Sequence, residues 1–140
     1  DLELALDEVL QRGYWDILIA FALGGRLDQT LGNLALLSRP DLNDCAVRID
    51  DGLTEIYQLR DTIALACQPG DTVSLLPWGE PAQGVKTDGL EFPLKSETLW
   101  PWQTRGISNR CTSERFSVSL EHGALLIIHT RQNQDNGGTT

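Results

Sequence analysis

The run Gly24-Gly25-Arg26-Leu27-Asp28-Gln29-Thr30 carries the densest chemistry in this sequence. Gly24 and Gly25 permit turns and close approaches that a side chain would block. Arg26 follows with a planar, permanently charged group suited to phosphate oxygens. Free N–H groups at a helix start favour an anion in the same place. Asp28, in the same turn, would repel a phosphate unless a divalent cation lay between them. Guanidinium, carboxylate and glycine turn together suggest a corner for a magnesium-bound nucleotide, with Gln29 as a further hydrogen-bonding group. The plainer alternatives are a solvated arginine, a first-turn acid that complements the helix dipole, and a surface glutamine. No Walker A or Gly-x-Gly-x-x-Gly sequence is present, so phosphate binding by those routes is excluded. His122 in a hairpin turn and His129 near a strand end lack a nucleophile pattern, and no chemistry is assigned to them.

The elements that must position this corner are an α/β pair. Ile17 to Leu23 is an unbroken apolar run, the composition of a strand covered on both faces. From Leu27 the apolar residues Leu31, Leu34 and Leu37 follow at helical spacing, and Pro40 closes that helix after Ser38. A strand-to-helix corner of this kind is where open α/β sheets bind ligands. An earlier helix is expected from Asp1 to Arg12, with Asp1 as N-cap and Gly13 as the C-terminal glycine. Cys45–Asp50 reads as a strand turning at Asp51-Gly52 into Thr54–Leu59. Beyond residue 60 no helical period is visible. Short strands are expected at 62–67, 72–76, 84–87, 91–94, 116–120 and 124–130, separated by proline and glycine turns. The fold class is therefore an α/β remnant with a partial parallel sheet over 1–60, an all-β sandwich-like module over 61–131, and a polar tail over 132–140.

The chain has 140 residues, 41% of them hydrophobic and 22% charged, the composition of a globular protein. Its net charge of −9 argues against a nucleic-acid surface, which needs a basic stripe. A small anionic substrate is compatible with that charge, because one arginine and a metal ion can invert the local field. No apolar run approaches the roughly 20 residues that span a bilayer, so no membrane partner is expected. Cys45, Cys67 and Cys111 are odd in number and lack metal-ligand spacing, which reads as reduced thiols in a cytoplasmic protein. The chain opens at a helix start and contains no methionine, so it reads as part of a longer protein.

Three stretches, in order, resemble the thiamine pyrophosphokinase family. Gly24-Gly25-Arg26-Leu27-Asp28-Gln29 is similar to its Gly-Gly-Arg-x-Asp-His/Gln corner. Asp71–Pro77 followed by Gly89–Leu94 is similar to its Ser-Leu-x-Pro and Gly-Leu-x-Trp/Tyr-x-Leu segments. Gly106-Ile107-Ser108-Asn109 resembles its Ser-Asn segment before the final hairpin. The resemblance implies transfer of a pyrophosphoryl group from ATP to the hydroxyl of thiamine, with AMP leaving and Mg²⁺ on the phosphates. It implies Asp28 and Arg26 as catalytic residues, with Asp28 on metal or orienting the hydroxyl. Gly24, Gly25, Arg26 and Gln29 would hold the nucleotide, and Asp1, matching the last acid of an Asp-x-x-Thr-Asp segment, would join Asp28 on the metal. Ser108, Asn109 and Phe92 would hold thiamine: a hydroxyl and a carboxamide suit an aminopyrimidine edge, and an aromatic ring suits its cationic partner. Trp100 and Trp102 are further stacking candidates, and core packing is the alternative for all three rings. The resemblance also implies a homodimer whose site is shared between chains.

The sequence departs from that pattern in two places. A further nucleotide-binding half with a metal-binding acidic motif is expected before Asp1, and Arg110 stands where bacterial relatives commonly carry Glu. Two alternatives remain open: a thiamine or nucleotide binder without catalysis, and a carbohydrate-binding sandwich using Trp78, Trp100 and Trp102 as a platform.

Overall fold

The computed structural model describes residues 1–20 and 23–132. The chain is mostly β-sheet with two helices, and it falls into two compact units, Asp1–Gly52 and Leu53–Thr140.

In the first unit, α1 spans Leu2–Gln11, β1 Asp16–Ile19, α2 Leu27–Leu36 and β2 Ala46–Asp50, with a 3-10 turn at Pro40–Leu42. Asp1 caps α1 as its residue type dictates, its carboxylate accepting from the N–H groups of Glu3 at 2.8 Å and Leu4 at 3.3 Å. β1 and β2 are parallel, with Ile17 opposite Val47 and Ile19 opposite Ile49. Their shared face joins Leu6, Leu34, Leu37 and Leu42 in the buried set. Arg39 ties α1 to the 3-10 turn through Asp7 and Asp41, each at 2.7 Å.

Two expectations need correction here. β1 alternates rather than being covered on both faces: Ile17 and Ile19 are buried, while Leu18 is 53% exposed. Leu18 pairs in register with Arg48, and that side of the ladder also carries the exposed Asp16 and Ala46. A polar, open face cannot bury the intervening residues. The strand is described only to Ile19, and Phe21 and Ala22 of the expected run lie outside the described residues. On α2 the apolar stripe is buried only towards its C-terminal end, at Leu34 and Leu37, whereas Leu27 and Leu31 are exposed.

The second unit is a sandwich of antiparallel strands. β3 is Thr54–Leu59, β4 Thr62–Ala66, β5 Thr72–Pro77, β6 Ala82–Asp88, β7 Lys95–Leu99, β8 Asn109–Arg110, β9 Arg115–Ser119 and β10 Leu125–Thr130. One sheet runs β3-β10-β5-β8 and the other β4-β9-β6-β7. Alternation places Val73 and Leu75, Phe116 and Val118, and Leu125 and Ile127 into one shared core. The expected boundary at 60/61 falls between β3 and β4, both in this unit, because β3 pairs along its length with β10. Of the expected tail 132–140, only Gln132 is described.

The strand expected at 91–94 is a loop, and the strand lies one step later at Lys95–Leu99. Pro93 has no N–H for a ladder. Among the described residues β7 pairs only with β6, an edge position, and edges favour charged residues over clean alternation. β8, a two-residue strand, carries no pattern that a sequence could announce.

Candidate functional site

The glycine corner places Arg26 and Asp28 together, as their spacing suggested, but on each other. Arg26 Nη2 lies 2.6 Å from Asp28 Oδ2, with the two side chains 81% and 66% exposed. Gly25 takes φ +91°, a conformation that favours glycine. Arg26 occupies the N-cap position of α2 without a side-chain cap, and the other oxygen of Asp28 accepts from the N–H of Gln29 at 2.8 Å. Asp28 therefore already satisfies one donor of the helix start, which is its simpler role. Thr30 Oγ1 donates to the carbonyl of Arg26 at 3.2 Å.

Gln29 shares a hollow of about 440 Å³ with Asp1, Glu3, Gly32 and Asn33, and Arg26 and Asp28 do not line it. The two carboxylates expected on a metal are thus separately engaged: Asp1 caps α1 and Asp28 pairs with Arg26. Among the described residues no group of three His, Cys, Asp or Glu side chains could hold a metal ion. An all-protein magnesium cage is therefore absent among the described residues, whereas magnesium held by one carboxylate and substrate phosphates needs no such group.

In the second unit, the residues expected at thiamine meet at the β8 edge. Asn109 is 9% exposed and clamps the backbone of Phe92 from both sides. Its Oδ1 accepts from Phe92 N–H at 3.0 Å and from Arg110 N–H at 2.9 Å, while its Nδ2 donates to the Phe92 carbonyl at 2.7 Å. That leaves at most one amide hydrogen for any ligand. Phe92 as a whole residue is 63% exposed. Ser108 takes φ +63° and donates its N–H to Ser74 Oγ at 3.0 Å. Gly106 sits so close beneath this segment that a Cβ would strike the Leu75 carbonyl and crowd Leu99. Arg110 passes its carbonyl to Glu91 N–H at 2.8 Å.

Trp100 and Trp102 stack on each other, centroids 5.2 Å apart and planes 25° from parallel. They follow the end of β7, whereas Phe92 precedes its start. The ring contact described at this end is that of Trp100 with Trp102. Trp102 stays 74% exposed in this pair, and Trp100 38% exposed.

A buried cluster was not foreseen at all. His129 is 1% exposed, with Nδ1 2.8 Å from Glu55 Oε1 and Nε2 2.8 Å from Asp71 Oδ2. Arg131 reaches the second oxygen of Glu55 at 3.1 Å. Burial by itself would lower the His129 pKa, but hydrogen bonds and charge from Glu55 and Asp71 outweigh it and raise the value. Asp71 moves the other way: burial would raise its pKa, yet the N–H groups of Gln68 and Gln132, with His129, hold it below the ordinary carboxylate value. A cavity of about 350 Å³ borders the cluster, lined by Cys67, Gln68, Asp71, His129, Arg131 and Gln132. The signal available in the sequence was phase. His129 follows Leu125 and Ile127 at a period of two, on the inward face, where a polar group needs buried partners.

Residues 60–125 match the family model described as thiamin pyrophosphokinase, vitamin B1 binding domain. A curated relative from Bacillus subtilis (strain 168), a thiamine pyrophosphokinase, is 28% identical over 93% of this chain and 62% of its own length. The crystal structure of thiamine pyrophosphokinase from Bacillus subtilis matches with TM-score 0.85 and 27% identity, over 94% of this chain and 63% of that one. That from Geobacillus thermodenitrificans gives TM-score 0.81 at 24% identity, covering 96% of this chain and 62% of that one, a likeness of fold. This chain thus spans about three fifths of the length of these relatives. Family match, curated relative and solved structures agree in what this chain is similar to, the carboxyl-terminal portion of thiamine pyrophosphokinases.

Proposed function

We propose that this chain, similar to the carboxyl-terminal portion of thiamine pyrophosphokinases, supplies the thiamine-binding part of such an enzyme and one phosphate-binding corner of its active site. The observation that carries the reading is the match of residues 60–125 to the vitamin B1 binding domain, which contains the clamped Phe92 and Ser108-Asn109. The reaction is attack of the thiamine hydroxyl on the β-phosphorus of ATP, giving thiamine diphosphate and AMP. Chemistry of this kind depends on in-line positioning and charge neutralisation more than on covalent help.

In this reading the exposed Phe92 ring stacks on thiamine, Ser108 and the remaining Asn109 hydrogen meet its pyrimidine edge, and Asn109 mainly holds Phe92 in place. Arg26 leaves Asp28 for the phosphate oxygens when the nucleotide arrives, and Gly24, Gly25 and Gln29 shape that corner. The freed Asp28 carboxylate then orients the thiamine hydroxyl. Magnesium arrives with ATP as part of the substrate, and no step is routed through Asp1. The chain acts as a homodimer with thiamine between copies, in the cytoplasm, where Cys45, Cys67 and Cys111 stay reduced thiols.

A second reading rests on the same match of residues 60–125: a thiamine binder that does not catalyse transfer. Calorimetry separates the two. Thiamine binding strengthened by Mg–ATP supports the kinase, thiamine binding indifferent to Mg–ATP supports the binder, and no thiamine binding refutes both. For the shared site, inactive Asn109→Ala and Asp28→Ala chains should partly restore activity when mixed. No restoration from two folded parents would overturn the dimer.

A further inference from the structure

We propose that His129 is a positioning residue for the Phe92–Asn109 edge: through Asp71 it sets the place of β8 against β5, so the charge on its ring governs how Phe92 and Ser108 are presented. The inference rests on the reading of that edge as the thiamine site.

With both carboxylates ionised, the geometry favours the charged ring. Both nitrogens lie 2.8 Å from carboxylate oxygens, Glu55 on β3 and Asp71 at the start of β5. A neutral imidazole has one donor and one acceptor nitrogen, so it would turn a lone pair towards one of the carboxylates. Only the imidazolium donates to both. With Arg131 on Glu55, the four groups then sum to zero charge, which is how a buried ionic cluster is tolerated. Other titratable or aromatic groups also face the cluster. Tyr57 Oη approaches Glu55 at 3.4 Å, Phe116 presents a ring at 5.6 Å, and burial raises the pKa of the nearby thiols Cys67 and Cys111.

From Asp71 the connection to the edge is short and continuous. Its carboxylate accepts from Gln68 N–H and Gln132 N–H, each at 2.9 Å. Its own carbonyl accepts from Cys111 N–H at 2.9 Å, and Gly70 N–H returns to the Cys111 carbonyl at 2.8 Å. The next residues of that segment are the ladder pairs Thr72 with Arg110 and Val73 with Asn109. Asn109 then holds Phe92 by N–H and carbonyl. β8 has only two residues, and the Asp71–Cys111 and Gly70–Cys111 bonds extend its pairing with the β5 side, while Glu91 and Phe92 hold its other side.

The test uses the whole chain in two perturbations, each sufficient alone. In ¹⁵N-labelled protein, raising pH until the His129 ring titrates should move the amide signals of Cys111, Asn109 and Phe92 with the same midpoint. Independently, His129→Gln, which keeps hydrogen bonding but cannot carry charge, should shift those same amides and remove their pH response. Stationary Cys111 and Phe92 amides in either experiment overturn the proposal, and this readout needs no ligand. Thiamine titrations add the functional arm: affinity of the wild type should fall about fivefold or more across the midpoint, the lower end of ordinary site-to-site coupling. The variant should stay weak and flat with pH. Parallel loss in wild type and variant counts against His129. If thiamine fails to bind at every pH, the thiamine reading fails, and the amide shifts still decide the coupling.

Discussion

Replacing Asn109 asks whether its carboxamide is a ligand-contacting group or the clamp that holds Phe92. Asn109→Ala removes three hydrogen bonds of 2.7, 2.9 and 3.0 Å. At about 1 kcal/mol net each, their loss sums to about 3 kcal/mol. Phe92 is 63% exposed, so water re-pairs some of its backbone. A destabilisation of about 2 kcal/mol is therefore expected, or a Tm lower by about 8–16 °C for a unit of this size. Asn109→Asp separates donor from acceptor. The new carboxyl still accepts from the N–H groups of Phe92 and Arg110, but when ionised it turns an oxygen towards the Phe92 carbonyl. Its protonated form restores the donor, so its folded pKa should lie above the ordinary value of about 3.9. The deficit of Asn109→Asp relative to wild type should then be full at pH 8 and shrink as pH falls through that raised value. Urea denaturation followed by tryptophan fluorescence at pH 5 and pH 8 measures both variants. A loss below about 0.5 kcal/mol for Asn109→Ala, the scale of an ordinary surface substitution, would refute the clamp. So would an Asn109→Asp deficit that ignores pH.

Three further outcomes follow from the geometry. His129 has a raised pKa, so its contribution to stability is complete below the ordinary value of 6.5 and is lost as pH rises through the folded value. Asp71 has a lowered pKa, so its contribution is complete above 3.8 and is lost as pH falls through the folded value; chemical denaturation across pH should show a plateau between these limits, absent in a Glu55→Gln/Asp71→Asn/His129→Gln chain. Gly106→Ala places a methyl against the Leu75 carbonyl and should cost about 1–3 kcal/mol by overpacking, read as a lower urea midpoint. Arg26→Ala breaks an exposed pair and should change stability by less than about 1 kcal/mol. Under the kinase reading it should nevertheless weaken Mg–ATP binding, measured by calorimetry.

What the sequence discloses and what it conceals divide along physical lines. Asp1 was legible as a cap because short-range hydrogen bonding needs only the local chain. β9 and β10 were legible because Phe116, Val118, Leu125 and Ile127 bury one face of a pleated strand. β7 was not, since Lys95–Leu99 lies at an edge where burial imposes little pattern. The pairing of Arg26 with Asp28 is local and was within reach of spacing, but its exposure was not. The His129 cluster was missed for the opposite reason: Glu55 and Asp71 are far from His129 in sequence, and only the register of β10 with β3 and β5 brings them together. Asn109 stands out in the sequence by residue type alone, and its engagement with Phe92 depends on a loop that no periodicity describes.

The three thiols are unequally sheltered. Cys45 is half-buried near the Asp41 carbonyl, while Cys67 and Cys111 are buried and kept protonated by burial. Because the thiolate is the reactive form, an alkylating reagent should consume one sulfur quickly and the other two only when the sandwich opens. Mass spectra taken over time would show a one-adduct species that persists before the three-adduct species grows in. The chain thus carries its own stopwatch for the opening of the β-sandwich unit, with no label introduced.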